Sequence, residues 1–185
     1  NSITGRYEIK VARDLPYYVV SAITTEDTAV VSVDGTNGIK TATKTVIDQG
    51  EETVVPIRVT APNTITSKTY NLAIIMKSNN AGLGYVKLNG KAIAPNDDGE
   101  YCIEVVSRVQ SVLVEVGAQN DSATVRLEGD DMIGVWKGTK VLQSDDEEYD
   151  FYVIAEDGST SNGPYTIKIK RLDGNTDINT ISVMY

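Results

Sequence analysis

Apolar side chains recur at every second position along much of the chain: Tyr7, Ile9 and Val11; Ala29, Val31 and Val33; Tyr101, Ile103 and Val105; Ala123, Val125 and Leu127. A period of two is that of a strand with one face buried. Between the alternating runs stand turn-forming clusters, among them Asn89-Gly90, Asn96-Asp97-Asp98-Gly99, Glu128-Gly129-Asp130 and Glu156-Asp157-Gly158-Ser159, whose residue types supply left-handed backbone or side-chain caps. No stretch has useful helical amphipathicity. In the C-terminal half the pattern predicts strands near residues 84–88, 101–106, 111–118, 122–128, 133–142, 148–155 and 164–171. Short strands at this spacing are the signature of a β-sandwich.

The pattern is written twice. Residues 7–35 laid over residues 101–129, a shift of 101 − 7 = 94, give eight identities: Tyr7 with Tyr101, Ile9 with Ile103, Val11 with Val105, Val20 with Val114, Asp27 with Asp121, Ala29 with Ala123, Val31 with Val125 and Gly35 with Gly129. Unrelated segments of this length match at about two positions on average usage. The correspondence continues through Ile39 with Ile133, Val59 with Val153 and Ala61 with Ala155, and after one added residue through Tyr70 with Tyr165 and Ile74 with Ile169. The expected fold class is therefore all-β: two tandem Ig-like antiparallel β-sandwich modules, over residues 1–77 and 78–172, with residues 173–185 a linker plus a further strand.

The run from Val153 to Thr160, with its Glu156-Asp157-Gly158 turn, leads into Tyr165-Thr166-Ile167-Lys168-Ile169-Lys170-Arg171. Together with Tyr101-x-Ile103-x-Val105 and Ala123-x-Val125-x-Leu127-x-Gly129 it resembles the closing hairpin and strand pattern of the bacterial cadherin-like β-sandwich family, over most of residues 78–172. The first copy carries Ala61-Pro62-Asn63 at the acidic turn and Met76 at the arginine. The resemblance implies a module of bacterial cell-surface or secreted proteins, used in arrays for adhesion or spacing, and brings no catalytic residue with it.

Ahead of Tyr101 the second copy has an additional strand, Gly84-Tyr85-Val86-Lys87-Leu88, whereas only six residues precede Tyr7. The opening strand of the first module is thus expected to be missing, or supplied by another chain. At the far end, residues 179–184 correspond to residues 84–89, with Asn179, Ile181, Val183 and Tyr185 in the alternating positions. Two readings stay open: the opening strand of a third module, or a donor strand that completes the first module of a neighbouring chain and builds a head-to-tail fibre. The opening residues, Asn1 to Gly5, show neither an initiator methionine nor a basic and apolar lead, as expected of a processed or excised stretch.

Composition narrows the chemistry. With 41% hydrophobic and 23% charged residues over 185 positions, a packed globular fold is expected. A net charge of −9 opposes nucleic acid and anionic membrane surfaces as partners, and no apolar run reaches the length of a bilayer span. Histidine is absent, which removes Ser-His and Cys-His nucleophile pairs, and the single cysteine, Cys102, sits between inward-pointing Tyr101 and Ile103 and so faces outward. The expectation is no enzyme and no cofactor. Calcium is the one metal with a candidate site, since Asp173, Asn175 and Asp177 space oxygen donors as at the start of a calcium loop, though Ile178 stands where its glycine should be. Neighbouring modules of the same or identical chains are the expected partners, and cell-wall or host glycans the rival ones. For glycans Trp136 is the candidate platform, standing opposite Ala42 of the first copy, and the same indole could equally be a core plug.

Overall fold

A computed structural model of the chain describes residues 5–13, 15–47, 50–172 and 174. It divides into two compact units, Asn1–Lys77 and Ser78–Tyr185. Among the described residues every regular element is a strand.

The first unit contains β1 (Arg6–Val11), β2 (Tyr17–Ile23), β3 (Val30–Val33), β4 (Thr36–Ile39), β5 (Thr41–Ile47), β6 (Glu52–Thr60) and β7 (Ser67–Met76). Its larger sheet runs in the order β1-β7-β6-β3-β4, and β2 pairs with β5 to form a second sheet. The second unit contains β8 (Leu83–Leu88), β9 (Lys91–Ile93), β10 (Tyr101–Val106), β11 (Ser111–Ala118), β12 (Thr124–Leu127), β13 (Asp130–Ile133), β14 (Val135–Val141), β15 (Asp146–Ile154) and β16 (Ser161–Leu172). It has the same five-stranded sheet, β10-β16-β15-β12-β13, but faces it with four strands, β14-β11-β8-β9. Among the described residues all pairings are antiparallel except two: β1 runs parallel to β7 and β10 parallel to β16, so these two counterparts in the repeat each lie beside the last described strand of their unit.

Side chains from both sheets close the core of the second unit. Val86 and Leu88 of β8, Val112, Val114 and Val116 of β11 and Trp136 of β14 meet Val125, Leu127, Phe151, Ile167 and Ile169 of the opposite sheet. The alternating pattern of the sequence is what aims these residues to one side. The first unit packs a smaller set around Val20, Val31, Val33, Ala42, Val55 and Ile74. Trp136 and Tyr149 of the second core, with the half-buried Lys140 beside their rings, stand where the first has Ala42, Val55 and Val46, and Tyr18 of the first replaces Val112. A ring placed on a different strand fills part of the space those substitutions vacate.

The sequence pattern predicts one strand over residues 133–142, and the structure breaks it. Gly134 takes a left-handed conformation, φ +72°, which carries the chain from β13 in one sheet to β14 in the other. Its N–H donates to Ala123 O at 2.7 Å, and its carbonyl accepts from Ala118 N at 2.8 Å. The first unit makes the same corner at Lys40, φ +63°: Lys40 N donates to Ala29 O at 2.9 Å and Thr24 N donates to Lys40 O at 2.9 Å. These are the same two bonds, displaced by 94 residues. Short β9 was also absent from the expectation, since three residues are too few to display a period.

A left-handed residue other than glycine carries a steric penalty on the order of 1 kcal/mol. Lys40→Gly is therefore expected to stabilise the first unit by about that amount, offset in part by loss of the exposed ion pair with Asp27. Gly134→Ala is expected to destabilise the second, because a Cβ there would lie 2.8 Å from Asp121 O. Chemical denaturation of each full-length variant, with the two units followed by separate NMR probes, checks both signs.

Candidate functional site

The feature that separates the two units is the pairing of one strand. In the second, β11 lies between β14 and β8, with Val114 opposite Leu88 and Val116 opposite Val86. In the first, the equivalent β2 pairs with β5, and no strand among the described residues pairs with its outer edge. Burying Val86 and Leu88 completely contributes roughly 1.5–3 kcal/mol each, and nothing described in the first unit takes their places.

The cost is visible in exposure. Tyr101, Val116, Phe151, Val153 and Ile167 are buried in the second unit, Tyr101 at 9% exposure. Their counterparts Tyr7, Ala22, Ile57, Val59 and Leu72 are all more open, Tyr7 at 44%. The sequence pattern predicts Tyr7 as core, and the structure corrects this: its inward face meets a gap where the second unit has β8. That gap is a groove of about 580 Å³, lined chiefly by Tyr7, Ala22, Ile23, Ile57, Val59 and Tyr70. The Tyr7 and Tyr70 rings lie tilted, with centroids 6.1 Å apart, and the Lys68 ammonium sits 4.8 Å from the centre of the Tyr70 ring. Most of the lining is aliphatic or aromatic, the character of an unfilled core more than of a polar binding site.

The outward faces of the two small sheets also differ. On the second unit the Glu115 carboxylate lies between Lys137 at 2.9 Å and Lys87 at 3.1 Å. Hydrogen bonds from Lys137, then Lys87 and Tyr85, hold its pKa down to about 2. Lys87 in turn lies 4.3 Å from the centre of the Tyr85 ring. The first unit has Ser21 and Thr43 at the positions of Glu115 and Lys137, and their hydroxyls are 2.8 Å apart. A three-residue charge ladder across β8, β11 and β14 thus corresponds to a two-residue hydroxyl pair across β2 and β5.

Trp136 is not a stacking platform. It lies in the core at 4% exposure, against Gly138, whose missing side chain leaves room for the ring. Lys140 lies 5.0 Å from the ring centre of Trp136 and 5.2 Å from that of Tyr149, and pairs with Glu128. Burial against desolvating neighbours, and then the Glu147 charge, push Tyr149 up to about 12. Cys102 is exposed and in no disulfide, and its Sγ accepts from Asn96 Nδ2 at 3.6 Å. The calcium candidates Asp173, Asn175 and Asp177 and the strand residues Asn179, Ile181, Val183 and Tyr185 lie outside the described residues, and within those described no cluster of acidic or thiol side chains could hold a metal. A missing opening strand in the first module was expected from the sequence, whereas the extent of the groove was not legible there, because its lining residues carry a core pattern.

Residues 86–172 match the model of the family described as Cadherin-like beta sandwich domain. Among solved structures the chain is similar to the fibronectin(III)-like modules of Clostridium thermocellum CbhA, at 12% identity and a TM-score of 0.38, over 96% of this chain and 94% of that one. It is similar to Drosophila N-cadherin at 11% identity and a TM-score of 0.27, covering 91% of this chain and 48% of that one. A third is the Bacteroides ovatus protein SGBP-B, in complex with a mixed-linkage heptasaccharide, at 9% identity and a TM-score of 0.24, over 90% of this chain and 66% of that one. Among curated proteins none matches the chain.

Trp136→Ala is expected to lower the stability of the second unit by roughly 3–5 kcal/mol, the usual cost of emptying a buried aromatic site, as read by denaturant unfolding. The depressed pKa of Glu115 means that its ion pairs stabilise the fold above the ordinary carboxylate value of 4.5 and are lost as pH falls toward 2. Carboxyl-detected NMR should place its midpoint near 2, and Glu115→Gln should remove that share of the acid sensitivity.

Proposed function

We propose that this chain, whose residues 86–172 form a cadherin-like β-sandwich domain, is a structural spacer of an extracellular or cell-surface repeat protein of a bacterium, and that its first unit is completed by a strand from a neighbouring module. The observation that carries this reading is the groove beside β2, lined by Tyr7, Ala22, Ile57 and Val59, whose counterparts Tyr101, Val116, Phe151 and Val153 are buried in the second unit. An open sheet edge beside apolar side chains has a specific remedy, addition of one strand whose backbone pairs with the edge and whose alternate side chains fill the core. Modules that trade strands in this way form continuous arrays, which suits spacing and adhesion. Neither task calls for a reacting group.

A carbohydrate-binding module is the second reading. Its support is the half-exposed ring of Tyr7 in the groove, in place of the buried Trp136. Sugar sites combine such a ring with several convergent hydrogen-bonding groups; Thr24, Thr25, Glu26, Thr66, Ser67 and Lys68 border the groove, and its predominantly apolar lining favours a strand.

To test the first reading, a copy of residues 81–95, which spans β8 and β9, is fused through a short flexible linker ahead of Arg6 of the full chain. Two newly buried side chains at about 1.5–3 kcal/mol each should raise the melting temperature of the first unit by roughly 10 °C or more. A fusion with aspartate at the copied Val86 and Leu88 should not. Unchanged melting in the apolar fusion would remove the strand-completion reading, and glycan-array binding abolished by Tyr7→Ala would put the carbohydrate reading in its place.

A further inference from the structure

We infer that the outward face of the small sheet of the first unit, formed by β2 and β5, is a self-association surface through which two copies of this chain pack sheet against sheet as a symmetric pair. Apart from Ile23 at the end of β2, the side chains it uses do not line the groove, so the inference is independent of what fills the groove.

The first observation is the make-up of the face. The register of β2 and β5 sets Tyr17 opposite Ile47 and Val19 opposite Thr45, then Ser21 opposite Thr43 and Ile23 opposite Thr41. All eight are exposed, the four large apolar ones at 55% to 75%, and none is charged. The same topology in the second unit carries Glu115 between Lys87 and Lys137 on the corresponding face. The fold thus tolerates a charged ladder there, and its absence from the first unit leaves a contiguous apolar and hydroxyl patch of the kind that marks an interaction surface.

Second, the face is ready to be covered. Six of its eight residues are β-branched and lose little rotamer freedom on contact. The Ser21 and Thr43 hydroxyls lie 2.8 Å apart in a hydrogen bond, so they satisfy each other when water leaves. Side chains of this size and exposure bury roughly 600 Å² on each copy, about 1,200 Å² for the pair, which reaches the lower range of specific interfaces.

Third, the charge distribution selects a second copy as the partner. Residues 1–77 carry eight basic and eight acidic side chains, whereas residues 78–185 carry nine against eighteen, so the net charge of −9 falls entirely on the second unit. Copies meeting through their first units set no net charge against each other, while a contact between second units would set −9 against −9. An uncharged face has no sign to match and can therefore be its own complement. Lys40 and Asp27, paired with each other beside Thr41, add a rim that holds both signs.

Sedimentation of the full chain is expected to show a monomer–dimer equilibrium with a dissociation constant on the order of tens of micromolar. Val19→Glu combined with Thr45→Glu puts like charges at a central rung and should weaken the dimer about a hundredfold or more. Val19→Lys with Thr45→Lys should do the same, and an equimolar mixture of the two variants should recover the dimer. An NMR fingerprint unchanged away from the face shows that each variant folds. Thr139→Glu, at the counterpart of Thr45 in the second unit, should leave the dissociation constant within about twofold. In the chain carrying the fused copy of β8 and β9 the sheet-face dimer should persist, whereas association through the groove would be lost. A chain that stays monomeric at about 1 mM, a dimer that survives the glutamates or disappears in the fusion, or variants that fail to pair when mixed overturn the inference. The melting temperature of the fusion decides the strand-completion reading separately.

Discussion

Everything distinctive about this chain depends on whether the strand that starts the small sheet has a neighbour. A β-sandwich holds because two sheets press their apolar faces together, and the strand laid against the middle of the small sheet does two jobs at once: its backbone satisfies the ladder of the next strand, and its alternate side chains cap the core. In the second unit β8 does both, through its pairing with β11 and through Val86 and Leu88. In the first unit, among the described residues, neither job is done by any strand, and the effects spread from that one vacancy. Tyr7 is half open, Ala22 and Val59 line a groove, and the buried cluster is smaller.

The two units are otherwise close copies in architecture, which shows how little sequence identity a sandwich needs. Their corner between the sheets rests on the same pair of backbone hydrogen bonds, although the residue that turns it is glycine in one and lysine in the other. Backbone bonding at a corner is indifferent to the side chain as long as the left-handed conformation can be reached. The cores are less tolerant, and they differ in sets: Trp136, Lys140 and Tyr149 pack together in one unit where Ala42, Val46 and Val55 stand in the other. Packing density constrains the sum of volumes at a layer more tightly than it constrains any single position.

The strand addition proposed for the first unit draws only on its open edge and on side-chain alternation. An incoming strand is recognised by its backbone along its whole length and by two or three side chains at alternate positions, so affinity comes from burial and specificity from register. The outward hydroxyls of Ser21 and Thr43, set against the charged ladder Lys87, Glu115 and Lys137, give the two small sheets different surfaces from the same topology.

The sequence alone determined the strand periodicity, the repeat at a shift of 94, the all-β class and the additional strand ahead of Tyr101. These are consequences of alternation, which is local and can be read one residue after another. Whether a given inward position is buried is not local, because it depends on what stands across the core. Tyr7 and Tyr101 have the same pattern around them and differ in exposure by 44% against 9%, since one faces a groove and the other a packed sheet. Trp136 could be a platform or a plug on sequence grounds, and the space opened by Gly138 beneath β15 and β12 made it a plug. Likewise the break at Gly134 and the parallel pairing of β1 and β10 with the last strands were decided only in three dimensions, by which sheet each strand could reach to satisfy its backbone.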